Sequence, residues 1–358
     1  MTKDTTMLVA TVRNEGANIL EWVAHHRLCG FDRIQIYHND SDDNTLRSLR
    51  TLARLGVIEL FQNRGLEPGA HRRKSYRRAS RSPAYAESAW CMVLDCDEFL
   101  HIKTGNGTVQ DLIAACPDDA DAILMNWRIF GSNGHRELSG ELVTERFTRA
   151  EPADDIAKGR KSPVKSLART SAFGRPGGHV PRDPKKDAPI CYNGSGQPIA
   201  FLPKNWRTED PEARKLAQVN HYAVRDLSSF LVKHALHAEI GRETGLTYWQ
   251  KHDRNDETDL SLAAGAFALW SEMKRLDVMS EGKLLRLRQR GIKQCRDKLE
   301  ALEEQENIQA LQKSILAETT PPLSQKFKLP TPQPVFASVR GQVPEPVPEP
   351  TVHKAALG

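Results

Sequence analysis

Disulfide chemistry has little to work with in this 358-residue sequence. Its six cysteines (Cys29, Cys91, Cys96, Cys116, Cys191 and Cys295) are scattered and form no CxxC pair. That excludes a disulfide scaffold and leaves reduced, mostly structural thiols as the expectation. Long apolar runs are also missing. The longest uncharged, largely apolar stretch, LSLAAGAFALW from Leu260 to Trp270, falls well short of the roughly 20 residues that span a bilayer. The opening MTKDTTMLVA has no basic segment leading into an apolar one, so no signal peptide is expected, and a soluble cytoplasmic protein follows. Neither sign of charge dominates. With 51 basic and 46 acidic residues the formal charge is +5, too small an excess for a chain built to bind nucleic acid. Any electrostatic argument must therefore be local.

What is present is an ordinary globular composition, 39% hydrophobic and 27% charged, in a chain long enough to bury a sizeable core as one large domain or two. Four short β-rich runs fill the first hundred residues: MLVATV (Met7 to Val12), RIQIYHN (Arg33 to Asn39), VIELFQN (Val57 to Asn63) and WCMVLD (Trp90 to Asp95). Segments of helical spacing separate them. Ile19, Trp22, Val23 and His26 share one face of the first, and Gly30 sits where a glycine ends a helix. Leu46, Leu49 and Leu52 mark the second, with Ser41 or Asp42 as its cap and Gly56 at its close. Alternation at this spacing predicts a parallel α/β sheet with right-handed crossovers. Such sheets bind ligands beyond the carboxyl ends of their strands. Three polar clusters, RNE, HNDSDDNT and DCDE, fall at such ends, which points to one crevice.

Further along, AILMNWRIFG (Ala122 to Gly131) and VKSLART (Val164 to Thr170) read as a fifth and a sixth strand. The Gly- and Pro-rich GRPGGHVPRDPKKDAPICYNGSGQP is expected to be an irregular loop. From about Leu227 the sequence turns helical, with one charged, Leu-punctuated stretch from Glu281 to Glu318. The expected division is a domain over 1–240, a helical extension over 241–318, and a Pro-rich, disordered tail over 319–358.

The stretch MVLDCDEFL (Met92 to Leu100) carries the strongest chemical signal. Two carboxylates one residue apart on an extended chain point the same way, so Asp95 and Asp97 can share one hard divalent cation that also meets phosphate oxygens, while Glu98 points to the other face. Such a cation neutralises a diphosphate leaving group. The plainer alternative is an Asp-rich turn, but the apolar run before it places Asp95 at the end of a buried strand, where an unpartnered Asp is costly. A strand ending in Asp-x-Asp also opens the haloacid-dehalogenase-type phosphatases, with the first Asp as nucleophile. Those carry Thr where this chain has Phe99, and place the motif on the first strand.

Taken in order, TVRNEGANILEWVAHHRLCGFDRIQIYHNDSDDNT, AWCMVLDCDEFL and NWRIFGSNGH resemble the family-2-like glycosyltransferases related to family 92, over about Met7 to His237. The resemblance implies a GT-A fold, a Rossmann-like mixed α/β sheet flanked by helices. It implies a nucleotide-sugar site in which Arg13, Asn14 and Glu15 lie near the nucleotide, and Asn39 and Asp40 near the base or ribose. Asp95 would lie toward the ribose and Asp97 would ligate Mn2+ or Mg2+. His221 would complete the metal shell, with His179 and His234 as other candidates, and an imidazole ligand favours Mn2+. Lys165 and Lys233 can help neutralise the diphosphate. The run HRRKSYRRASR (His71 to Arg81) reads as a solvated helix face, from which Arg73 and Arg77 can reach the cleft.

The implied reaction is transfer of a sugar from a UDP- or GDP-linked donor to an acceptor hydroxyl, with inversion. The acceptor would be a carbohydrate or a lipid-linked intermediate, as in polysaccharide biosynthesis, with peripheral membrane or complex association open. The Glu-Asp pair common after the fifth strand in family 2 is absent here. Glu145 and Asp154 are the candidate bases, with His135 as a neutral alternative. A nucleotide-sugar binder without a base, and the phosphatase, stand as the alternative functions.

Overall fold

A computed structural model of the chain describes residues 4–64, 70–153, 162–201, 207–208, 213–238 and 244–318. The first half alternates strand and helix: β1 (Thr6–Val12), α1 (Ile19–Leu28), β2 (Arg33–Asn39), α2 (Thr45–Arg54), β3 (Glu59–Asn63), α3 (Ala70–Ala79), α4 (Pro83–Glu87) and β4 (Trp90–Val93). There follow β5 (Glu98–Ile102), α5 (Val109–Ala115), β6 (Ala122–Ile129), the short α6 (Val143–Arg146), β7 (Arg149–Ala150) and β8 (Ser162–Arg169). Next come β9 (Phe173–Arg175), β10 (Arg182–Pro184), β11 (Cys191–Asn193), β12 (Pro198–Ile199), β13 (Arg207–Thr208) and β14 (Ala217–His221). Helices close the described chain: α7 (Leu227–Ala238), α8 (Leu246–His252), α9 (Ala266–Met279), α10 (Lys283–Leu302) and α11 (Glu306–Glu318), with β15 (Glu257–Thr258) between α8 and α9.

The main sheet runs β12-β11-β6-β8-β4-β1-β2-β3. β1 pairs in parallel with β2 and β4, and β2 with β3. β8 is antiparallel to both neighbours, β4 and β6. The sheet is therefore mixed, as expected for a GT-A-type fold. Side-chain alternation along the strands divides the core in two. Leu8, Ala10, Val12, Ile34, Ile36 and Met92 face α1 and α2, meeting Ile19, Trp22, Val23, Leu49 and Leu52. Met7, Val9, Tyr37, Cys91 and Val93 face the other way, onto Tyr76 and Ala79 of α3 and Ala84 and Tyr85 of α4. Each fully buried Leu or Val contributes about 2 kcal/mol relative to exposure, so a one-residue slip of register would be heavily penalised.

Helices α1 and α2 end at Gly30 (φ +82°) and Gly56 (φ +70°), left-handed positions that glycine takes without a Cβ penalty. The expected cap of α2 is displaced: the helix begins at Thr45, and the carboxylate of Asp43 accepts from the Thr45 backbone N–H at 2.8 Å. Ser41 is diverted to the neighbouring loop, accepting from Asn14 N–H at 2.9 Å. The segment expected to be irregular contains a small antiparallel pair, β9 with β10, and the strand β11, which joins the sheet beside β6. Glycine and proline mark its turns, but Cys191, Tyr192 and Asn193 are buried in strand pairing.

The stretch from Glu281 to Glu318 is two helices. Glu303 and Glu304 place like charge at the negative end of α10, where the helix dipole disfavours it. The break lets Ile308, Leu311 and Ile315 of α11 pack with Phe230 and Leu231 of α7 and Trp249 of α8. Among the described residues beyond Leu227 helices predominate, as expected, and Met1–Pro322 forms one compact unit. Arg27 of α1 pairs with Glu272 of α9 at 2.8 Å, and α10 lies against α2 and the loop before α1. The expected Pro-rich tail, 319–358, lies outside the described residues. No described helix is long and apolar enough to cross a membrane. Of the six cysteines, all unpaired, five are buried and Cys295 half-buried.

At Gly291, α10 comes against the loop before α1. A Cβ there would stand 2.4 Å from the Gly16 carbonyl carbon and 2.7 Å from Ala17 N. Because these are backbone atoms, the helix or the loop has to move. Gly291→Ala is expected to destabilise the protein by about 2 kcal/mol in urea unfolding, despite the better helix propensity of alanine; a neutral or stabilising result would refute this packing.

Candidate active site

The three carboxylates after β4 are displayed by a tight turn. The strand stops at Val93, Glu98 N–H donates to Asp95 O at 3.1 Å, and the Glu98 carboxylate turns back to accept from Asp95 N–H at 2.8 Å. Trp22 of α1 donates its indole N–H to Asp95 O and Glu98 O at 3.0 and 2.9 Å, and Tyr222 N–H reaches Asp97 O at 2.8 Å. Asp95 and Asp97 are thus presented by turn geometry rather than by alternation along a strand, because Glu98 begins a new strand, β5. Nor does Glu98 point away from the site; it is fully buried and closes the turn.

Each carboxylate has a cation. Asp95 Oδ1 pairs with Arg72 of α3 at 2.9 Å and Oδ2 with Lys165 of β8 at 3.3 Å. The same Lys165 Nζ, only 1% exposed, lies 2.7 Å from Glu98. Asp97 pairs with Lys233 of α7 at 2.7 Å, and its other oxygen is 3.8 Å from His221 Nε2. Burial works to raise both aspartates, but the cations outweigh it: Arg72 and Lys165 hold Asp95 at about 2, and Lys233 with His221 holds Asp97 well below the carboxylate range. Glu98 goes the other way, pushed up by burial to about 7 in spite of Lys165.

The polar turns after β1 and β2 converge on the same place. Asn14, at φ +56°, donates its backbone N–H to Ser41 Oγ and accepts from Asp42 N–H at 3.1 Å. Arg13 donates to the Asp40 carbonyl at 3.2 Å. Asp40 is exposed and Asn39 half-buried, Asn39 accepting from Asn63 at 3.1 Å. Arg225 then ties these turns to the third. Its guanidinium meets Glu15 at 3.1 Å and Cys96 O at 3.1 Å, from a backbone held at φ +54°, a strained conformation for so bulky a residue. The three strand-end clusters form one connected rim.

The glycosyltransferase family 92 model matches residues 4–222, three fifths of the chain and the whole of this rim except Arg225 and Lys233. The chain belongs to glycosyltransferase family 92. It is 32% identical over 148 residues to a family 92 protein of Oryza sativa subsp. japonica, covering 40% of this chain and 24% of that protein; it thus spans about a quarter of the length of this curated relative. Among solved structures, residues 1–349 of S. aureus TarS match at 13% identity and a TM-score of 0.33, over 84% of this chain and 91% of that one. Glucosyl-3-phosphoglycerate synthase from Mycobacterium tuberculosis, in complex with Mn2+, UDP and glucosyl-3-phosphoglycerate, matches at 17% and 0.28, over 49% and 62%.

The expected metal ligands of this family 92 member are only partly gathered. Asp97 Oδ1 and His221 Nε2 fit neighbouring positions on one cation, and an imidazole with a carboxylate suits Mn2+. Asp95 does not join them, because both its oxygens are drawn to Arg72 and Lys165. Among the described residues no three His, Cys, Asp or Glu side chains cluster as a metal site. His221 comes here by register, opposite Glu98 on antiparallel β14 and β5, and its buried Nδ1 has no hydrogen-bond partner. His179 Nδ1 bonds Val164 O at 3.0 Å and His234 Nδ1 bonds Thr244 O at 2.8 Å. Glu145 is exposed on α6, whose first N–H groups, of Val143 and Thr144, are held by buried Glu21. Asp154 lies outside the described residues.

The run from His71 to Arg81 was expected to be a solvated helix face, with Arg73 and Arg77 as the pair that could turn to the cleft; Arg72, Arg73 and Arg77 are all exposed, and Arg72 is the one that reaches Asp95. The HRRKSYRR run offers four arginines, and only the start of α3 at Ala70 selects among them. Arg225 and Trp22 were missed for a plainer reason, since neither sits in a polar cluster. Lys165→Met is expected to cost about 3 kcal/mol in thermal or urea unfolding, by leaving Glu98 buried without its cation. In the Lys165→Met/Glu98→Gln double variant the loss should shrink. A double-variant loss equal to the sum of the two single-variant losses would mean the pair is not coupled.

Proposed function

We propose that this chain transfers a sugar from a nucleotide-diphosphate donor, UDP- or GDP-linked, to a hydroxyl of a carbohydrate or lipid-linked acceptor, with inversion at the anomeric carbon. The observation that carries the reading is the turn from Asp95 to Glu98, set where the β1 and β2 turns converge and met by Arg72, Lys165, Lys233 and Arg225. A crevice that holds two deeply acidic carboxylates among four cations is built for a ligand carrying both phosphate and a counter-cation.

Arg13, Asn14, Glu15, Asn39 and Asp40 would hold the nucleoside at the rim. A divalent cation, Mn2+ or Mg2+, would be held by Asp97 and His221 with Asp95 beside it, and when bound it supplies charge neutralisation at the diphosphate. Lys233, fixed by packing and partly exposed, would present its ammonium toward the same charge without reorganisation as the leaving group departs, while buried Lys165 would act on it through Asp95. Glu145, or Asp154, would take the acceptor's proton. The phosphatase reading would need Asp95 as a free nucleophile, whereas its oxygens are engaged by Arg72 and Lys165, and the family is a transferase family.

Release of nucleoside diphosphate from a panel of UDP- and GDP-sugars with Mn2+ tests the reading. Wild type should turn over at least one donor, and Asp97→Asn should lose about a thousandfold in kcat. In thermal shift, UDP or GDP with Mn2+ should raise the Tm of wild type and not of Asp97→Asn. Metal-dependent stabilisation without turnover of any donor would favour a nucleotide-sugar binder; no stabilisation by either nucleotide would sink the proposal. Glu145→Gln should lower kcat while leaving the nucleotide-induced Tm shift intact; unchanged kcat would move the base to Asp154 or His135.

A further inference from the structure

The outer faces of α9 and α10 carry two stripes that the transfer chemistry does not use. On α9, Phe267, Ser271, Lys274 and Val278 follow the three-and-four spacing of one helix face, opposite the buried Leu269, Met273 and Leu276. Phe267 is 86% exposed and Val278 76%, with Leu260 at 59% just before the helix and Met279 at 45% at its end. Single exposed apolar side chains are common on proteins, but a large aromatic and three aliphatic side chains at the two ends of one outer helix are not.

On α10, Lys283, Arg286, Arg290 and Lys293 are exposed along a second line, opposite Leu284, Leu287, Gly291 and Ile292. Between residues 266 and 298 stand nine basic and four acidic residues. Arg275 is engaged by Glu272 and Lys293 by Asp297; the side chains of Lys274, Lys283 and Arg290 have no ion-pair partner among the described residues. Helix α9 packs on α1 and α10 on α2. Because α1 and α2 lie side by side on one face of the sheet, α9 and α10 form the layer beyond them, and both stripes point away from the core.

We propose that this face docks the protein on an anionic lipid surface, with Phe267, Leu260, Val278 and Met279 entering the headgroup region and Lys274, Lys283, Arg286 and Arg290 meeting lipid phosphates. The charge decides the occupant. A second copy of the chain would bring the basic stripe against itself. A protein partner of acidic surface would want a contiguous apolar centre, whereas the apolar side chains here stand apart with a lysine between them. The proposal is independent of the donor site, since these residues touch none of its groups.

Cosedimentation of the full chain with vesicles tests it, using phosphatidylcholine alone and phosphatidylcholine with phosphatidylglycerol in equal parts. Wild type should partition onto the anionic vesicles about tenfold more strongly or better, and raised salt should weaken it. Phe267→Ser/Val278→Ser and Lys283→Glu/Arg290→Glu, two independent surface pairs with wild-type Tm expected, should each lower partitioning about tenfold. No preference for anionic vesicles, or undiminished binding by both variants, overturns the proposal. Binding to polyglutamate that matches vesicle binding and ignores the Phe267→Ser/Val278→Ser change overturns it in favour of an acidic protein. A concentration-dependent dimer in sedimentation velocity that either variant dissolves overturns it in favour of self-association.

Discussion

Three carboxylates within four residues can be buried only if cations come to meet them, and the rest of the architecture is arranged around that constraint. Asp95, Asp97 and Glu98 draw Arg72 from α3, Lys165 from β8, and Lys233 from α7, so elements from three distant parts of the sequence are required at one turn. An uncompensated charge at this depth would cost several kcal/mol. The mixed sheet order follows from the same need. β8 runs antiparallel between β4 and β6, which sets Lys165 beside the end of β4 instead of at the far edge of a parallel stack.

Within the turn, the charges are not equivalent. Asp95 and Asp97 are held ionised by their partners, while burial lifts Glu98 to about 7. Lys165 is shared between one carboxylate that stays charged and one near its titration point. Glu98 is therefore the hinge of the turn, accepting the Asp95 N–H while its other oxygen stays buried without a partner. Its role is to shape the display of the two aspartates, a positioning role distinct from that of the groups at the rim.

The parts of this arrangement legible in the sequence are those encoded locally. β1 and β2, both glycine-ended helices and the Asp-x-Asp position all follow from period-2 and period-3.6 patterning with its punctuation. Arg13, Asn14 and Glu15 meet the Asn39 to Asp43 turn as expected, because adjacent parallel strands place their ends together. What was not legible depends on long-range register. His221 sits opposite Glu98 only because β14 pairs antiparallel with β5, and Arg225 closes the rim from a left-handed backbone that sequence spacing does not announce. The expected loop at 174–198 hid strands too short for periodicity to register. The helices α9 and α10, read as an extension, bury apolar side chains in the same core as α1 and α2, a packing that their own sequence does not announce.

Helix α10 shows why those late helices belong to the site. Its inner face touches Gly16 and Ala17 through Gly291, accepts the Asn44 N–H at Gln294 Oε1 at 3.0 Å, and anchors the 140–141 carbonyls with Arg288. The loops it braces are those that carry Glu15 and Asp43. Its outer face bears the basic stripe. A helix clamped this tightly on one side and bare on the other can transmit only small displacements, since Gly291 leaves no room for α10 to move inward. The order of the loops that carry Glu15 and Asp43 therefore rests on the inner face of α10, through Gly291 and Gln294.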